Sequence, residues 1–193
     1  METRIAHTTP PHDLTSRLAS GDEAVFTYVY EQVADRLFGL ALRLLRDRGA
    51  AEDAVQQSFL ELARARPELD SMRSVEAWLF KSLRFTCLDE IRRRERRPEI
   101  PTRQLPDSGR SDPVRFPDPE LEQALAELTP EQKTVIHLKH VEGYDGAEIA
   151  EIISSNRSAV YAMANRAEAR LRNLLEPVES SDDAASLPAK ESP

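Results

Sequence analysis

The stretch from Tyr144 to Arg172, YDGAEIAEIISSNRSAVYAMANRAEARLR, constrains this chain most, because its spacing spells two helices joined by a tight turn. Ala150 stands where two crossing helices need a small side chain. Ser154 opens the turn four residues later, and Val160 supplies the apolar contact that holds the second helix on the first. Asp145 and Glu148 form a capping pair that satisfies backbone N–H groups left free at the start of the first helix. The second helix begins near Asn156 and presents Arg157, Ser158, Tyr161, Asn165 and Arg166 on its outer side. A helix so presented fits the DNA major groove, where side chains near its start reach base edges. An ordinary helical hairpin is the alternative reading of the same spacing.

Charge limits how such a chain could hold DNA. The formal net charge is −8 over 193 residues, and phosphate neutralisation by Lys and Arg dominates affinity for bare duplex. Tight binding by this chain alone is therefore not expected. The charge is unevenly placed. From Glu176 onward, five carboxylates (Glu176, Glu179, Asp182, Asp183, Glu191) face Lys190 alone, whereas Arg92, Arg93, Arg94, Arg96 and Arg97 form a basic cluster. The single Cys87 excludes an intramolecular disulfide, and its place in a helical pattern predicts a buried apolar role. No apolar run approaches membrane-spanning length and the first residues lack a signal-peptide core, so the expectation is a cytoplasmic protein with no membrane insertion.

Periodicity predicts an all-α fold of two small helical domains joined by a Pro-rich linker. Residues 1–12 are expected to be a disordered N-terminus and 13–97 a first domain. There Val25, Phe26, Val29, Tyr30, Val33, Leu37, Leu40 and Leu44 recur at three- and four-residue steps in a long amphipathic helix that breaks at 46–49. A second helix from Ala51 buries Ala54, Val55, Phe59 and Leu62 and stops at Pro67. A loop over 67–73 follows, then a third helix capped by Ser74 and striped with Trp78, Leu79, Leu83, Cys87, Leu88 and Ile91. Residues 98–119 hold six of the thirteen prolines and form the linker. The second domain spans 120–176. Its first helix carries Leu121, Ala124, Leu125 and Leu128; then Thr129-Pro130-Glu131-Gln132 gives a cap, a first-turn proline and a reciprocal Gln ahead of Val135, Ile136, Leu138 and Val141. His137 and His140 are expected on a solvated face. Residues 177–193 are expected to be an acidic disordered tail.

Two segments, GAAEDAVQQSFLELA and VEAWLFKSLRFTCLDEIRRRER, resemble region two of the extracytoplasmic-function (ECF) sigma factors of the sigma-70 family. LTPEQKTVIHLKHVEGYDGAEIAEIISSNRSAVYAMANRAEARLRNLL resembles their region four. The resemblance implies a promoter-specificity subunit whose partners are core RNA polymerase, promoter DNA and, in regulation, an anti-sigma factor. Region two would bind the polymerase clamp through Glu52, Asp53, Gln56 and Gln57, which lie on the polar face of an otherwise apolar helix. The 67–73 loop would hold a flipped minus-ten base, while Lys81, Arg84, Arg92, Arg93, Arg96 and Arg97 track single-stranded phosphates. Region four would read the minus-thirty-five element through Arg157, Ser158, Tyr161, Asn165 and Arg166.

Departures from the family pattern bear on the DNA contacts. Phe85 stands where Asn is frequent, and Gln57-Ser58 trims negative charge from the clamp-binding face. Ala159, Tyr161 and Met163 replace a common Thr, Lys and Arg, and Ser154 replaces the turn glycine. Fewer cations on the recognition helix predict a weak or unusual upstream contact. The competing readings are a sigma-like decoy that sequesters an anti-sigma factor and a plain helix-turn-helix regulator; the first domain has no purpose in the latter. No nucleophile motif, phosphate-binding glycine loop or metal-ligand spacing appears, so neither an enzyme nor a cofactor is expected.

Overall fold

The computed structural model describes residues 14–65, 69, 71–96 and 118–176, and every described element is a helix. The order is α1 (Leu14–Ser20), α2 (Glu23–Leu45), α3 (Arg48–Ala65) and α4 (Met72–Arg96), then α5 (Pro119–Ala126), α6 (Pro130–His140), α7 (Gly146–Ile152) and α8 (Arg157–Leu175). Expectations for residues 1–12, Arg97, the body of the linker, most of the 67–73 loop and the tail lie outside the described residues.

Local chemistry sets most of the boundaries. Asp22 accepts from the amides of Ala24 and Val25 and starts α2. The helix ends at Arg46, a non-glycine residue in the left-handed region at φ 54°, whose N–H closes on the Leu42 carbonyl. The break is shorter than the 46–49 expected, since Asp47 Oδ1 accepts from the Ala50 amide and lets α3 begin at Arg48. The cap of α4 is also one turn earlier than read. Ser71 and Ser74 exchange amide-to-hydroxyl bonds at 3.0 and 3.1 Å, so Ser74 is the reciprocal partner three residues inside and Ser71 opens the helix. Met72 and Arg73, assigned to the loop by sequence, form the first turn of α4. Asp118 caps α5 with Pro119 at its first position, so the linker's last residue is already helical.

In the N-terminal unit α2, α3 and α4 pack mutually, with Val29, Val33, Leu37, Leu40, Leu79 and Leu83 wholly enclosed. Cys87 is buried with them, and burial pushes its thiol up to about 12. Trp78 and Ile91 sit half-buried at the edge of that core. In the C-terminal unit α8 lies across α5, α6 and α7 and contributes Val160, Ala164 and Ala167. The two units are closed on one another: α6 packs on α2, α7 packs on α4, and one continuous hydrophobic cluster runs from Leu14 to Ala164. A fully buried aliphatic side chain contributes about 1.5–3 kcal/mol, so this core dominates the stability of the fold.

Candidate docking and nucleic-acid interfaces

The helix-turn-helix is built as its residues dictate. Asp145 accepts from the amides of Ala147 and Glu148 while Glu148 reaches back to the Asp145 amide, a complete capping box. Ala150 is enclosed, Ser154 takes the left-handed conformation at φ 55°, and Asn156 caps α8 through the Ala159 amide. Arg157, Ser158, Tyr161, Asn165 and Arg166 are all exposed along one open face of α8. Two of them are linked. The Arg157 guanidinium stands 5.6 Å from the Tyr161 ring centroid and donates to its hydroxyl at 3.3 Å. Tyr161 itself rests on Gly146, where a Cβ would meet the ring at 3.1 Å, so a larger residue there would push the aromatic outward.

A second surface lies along α3. Glu52, Asp53 and Gln56 are exposed, whereas Gln57 is half-buried and donates to Glu61 at 3.2 Å. The four residues do not share one groove. Glu52 and Gln56 border a cavity of about 730 Å³ floored by Phe26, Tyr30, Phe38 and Phe59; Gln57 lines a separate polar cleft against α4, and Asp53 edges both. Tyr30, placed in the core by periodicity, is 49% exposed and meets Phe59 at 4.9 Å between ring centroids; Leu60 beside it is 43% exposed. These apolar walls were missed because a helical stripe does not tell an edge position from a central one.

The basic residues in the second half of α4 differ in their partners. Arg92 and Arg96 are exposed and have no ion pair among the described residues, while Arg93 is exposed but paired with Glu90 at 2.5 Å. Arg94 is structural: it bonds Glu90 at 2.8 Å and the Leu45 carbonyl at 3.3 Å, tying α4 to the end of α2. Arg84 is half-buried with its Nε enclosed and unpartnered, and burial lowers its pKa, with Glu131 of α6 supplying partial compensation. Lys81 and Phe85 remain open to solvent.

The seam between the units holds the polar network that sequence did not foresee. Arg36 of α2 bridges Glu76 of α4 and Glu142, at 2.9 and 2.7 Å. His137, expected on a solvated face, is 2% exposed because α2 packs over α6 and covers it; His140 is exposed as expected. Arg43 donates to His137 Nδ1 at 2.7 Å, and His137 Nε2 donates to Glu142 at 3.1 Å. A guanidinium cannot accept and a carboxylate cannot donate, so the imidazole is neutral with its proton on Nε2. Burial lowers the His137 pKa, the Glu142 bond opposes that shift, and the Arg43 charge adds to it. Beside this network the Arg73 guanidinium lies 3.5 Å from the Tyr144 ring centroid and bonds both Glu148 oxygens at 2.8 and 3.0 Å. Tyr144 packs edge-on against Phe80, another buried residue absent from the predicted stripe.

Residues 29–97 match the family described as Sigma-70 region 2, and residues 119–171 match Sigma-70, region 4. The chain is 28% identical over 174 residues to the ECF RNA polymerase sigma factor SigK of Mycobacterium tuberculosis, covering 84% of this chain and 92% of that one. It is 30% identical over 171 residues to the ECF sigma factor SigE of Mycolicibacterium smegmatis, covering 81% of this chain and 65% of that one. Two solved folds are similar. The sigma factor RpoE of Bartonella quintana, in complex with the anti-sigma factor NepR, aligns at TM-score 0.63 and 23% identity over 79% of this chain and 98% of that one. CnrH, in complex with the cytosolic domain of CnrY, aligns at TM-score 0.63 and 21% identity over 84% and 94%.

Proposed function

This chain belongs to the ECF sigma factors of the sigma-70 family, and from that premise we propose how its surfaces divide the work of a subunit that binds core RNA polymerase and directs promoter recognition. The α3 surface docks the clamp: Glu52, Asp53 and Gln56 supply an acidic and polar rim to an apolar floor, the form that receives an amphipathic basic helix. Asp53 serves both this groove and the cleft that holds Gln57. On the DNA side, Arg92 and Arg96 meet single-stranded phosphate directly, Arg93 after exchanging Glu90, and Arg84 once the seam is relaxed. The outer face of α8 reads the upstream element, with Asn165 and Arg166 toward bases and the Tyr161-braced Arg157 toward phosphate or guanine. The subunit performs no catalysis of its own and acts in the cytoplasm with the polymerase. An anti-sigma factor is the further partner that the family resemblance implies.

The two promoter elements are by their names about 25 base pairs apart, on the order of 80 Å of duplex at about 3.4 Å per pair. Units closed through Arg36, Arg73 and His137 do not reach across that span, so promoter binding requires them to part along the seam. The single observation that carries the docking assignment is the acid-rimmed apolar groove on α3. Its test is pull-down with core polymerase and run-off transcription. Asp53→Arg with Gln56→Arg should abolish both with helicity unchanged, because cations would meet a basic partner. Undiminished co-purification would remove the assignment, and an unaltered chain that neither co-purifies with core polymerase nor yields transcripts would favour the decoy reading.

A further inference from the structure

We propose that the acidic C-terminal segment 177–193 folds back into a groove at the seam between the two units and braces their closed arrangement. The groove is a cavity of about 190 Å³ whose apolar floor includes Leu121, Leu125, Ile136 and Val141, with Arg43, Arg46 and Lys133 on its rim. The cations are poorly matched. Arg46 pairs with Glu122 at 2.7 Å, but Lys133 has no ion pair among the described residues and Arg43 meets only neutral acceptors, His137 Nδ1 and the Gly39 carbonyl. Both Arg43 and Lys133 are held below the usual range for their charged groups, first by burial; for Lys133 the adjacent Arg46 adds to the effect, and the nearby Glu142 and Glu127 offset it only in part for Arg43 and Lys133 respectively. Enclosed cations short of counter-charge around an apolar floor call for an acidic segment that carries some apolar side chains.

Charge selects this segment from within the chain. Residues 177–193 carry Glu179, Asp182, Asp183 and Glu191 against Lys190, with Val178 and Leu187 to meet the floor. Residues 97–117 carry four arginines against three carboxylates, which is the wrong sign. Position agrees with charge. Leu171 of α8 lines the groove, and the segment begins after Glu176, only about 7 Å further along at helical rise. Tethering at that distance gives a high effective concentration, so weak contacts suffice. Because Arg43 and the C-cap Arg46 come from α2 and its end while Leu121, Lys133 and Ile136 belong to α5 and α6, an occupied groove holds the two units together.

A nitroxide at Ser181→Cys in the full chain tests this, since the buried Cys87 thiol stays unlabelled. The amides of Leu121, Leu125 and Ile136 should broaden at low salt far more than that of Gln56 on α3. Broadening should fall severalfold in 1 M salt, where the Debye length is about 3 Å, and equally with Glu179, Asp182 and Asp183 all changed to Lys, which leaves the folded units untouched. Adding Lys133→Glu to that reversed segment should restore part of it. No selective broadening, broadening that survives charge reversal, or broadening seen only between differently labelled molecules would each overturn the proposal, the last by assigning the groove to a second copy.

Discussion

The interior of the N-terminal unit and the seam between the units differ in material: the interior is apolar, whereas the seam adds a partly exposed polar network to the apolar cluster that the two share. Inside, α2, α3 and α4 meet through Val29, Val33, Leu37, Leu40, Leu79 and Leu83. At the seam, α2 and α4 meet the C-terminal unit through Arg36, Arg43, Arg73, His137, Glu142 and Glu148, with Phe80 and Tyr144 between them. Apolar burial is non-directional and survives small displacements. A network of charges is favourable only while every partner stays in place, and once the seam parts its groups are well solvated. The interior is thus built to persist and the seam to open, as a subunit that must reach two separated DNA elements requires.

The largest effect expected is therefore an interior one. Leu83→Ala, at a wholly enclosed position, should cost about 2–5 kcal/mol of global stability, read as a lower denaturant midpoint with loss of helicity. A cost below about 1 kcal/mol would show the interior to be less tightly packed than described. Glu142→Ala should behave differently. It removes the acceptor shared by Arg36 and His137, costing the seam roughly 1.5–3 kcal/mol. Small-angle scattering should then show a larger radius of gyration while circular dichroism stays unchanged. Helix loss parallel to that of Leu83→Ala would erase the distinction between seam and interior.

Acidity provides a finer separation. The neutral His137 is gripped by Arg43 and Glu142, with Arg36, Glu76 and Tyr144 close to the same network. Its pKa is lowered in the closed state, by burial foremost, so the open state binds the proton more readily. Closure should not change with pH above the ordinary histidine value of about 6.5. Below it, closure should weaken by up to about 1.4 kcal/mol per pH unit until the lowered value is reached. Scattering between pH 7.5 and 5.5 should show expansion, and His137→Gln, which can accept from Arg43 and donate to Glu142, should remove the pH dependence. Expansion in that variant too would assign the response to other groups.

The same contrast explains what could be read from sequence. Thr129 and Gln132, Asp145 and Glu148, and Asn156 act within a few residues of themselves, and their caps are where the pattern places them. Leu79, Leu83 and Cys87 are buried by their own helix's stripe. Ser74 was misjudged by one turn because its partner Ser71 precedes the apolar pattern that marks a helix start. His137, Arg36, Arg43 and Tyr144 were illegible because what surrounds them comes from the other unit, and no local spacing encodes that docking. Tyr30 misleads in the opposite sense: it looks like core and instead lines the α3 groove, beside the exposed Leu60. The exposed face of α8 was legible as a face, although periodicity cannot say which base its Asn165 or Arg166 would meet.

On the proposed division of labour the seam is closed in the free subunit and opens on the promoter. A direct test is single-molecule energy transfer between dyes on Glu31→Cys of α2, an exposed position outside the α3 groove, and Ala169→Cys of α8, also exposed, with the buried Cys87 unreactive. The free chain should show one high-transfer population, and a low-transfer population should replace it once core polymerase and promoter DNA are added. The same high transfer in the promoter complex would contradict it.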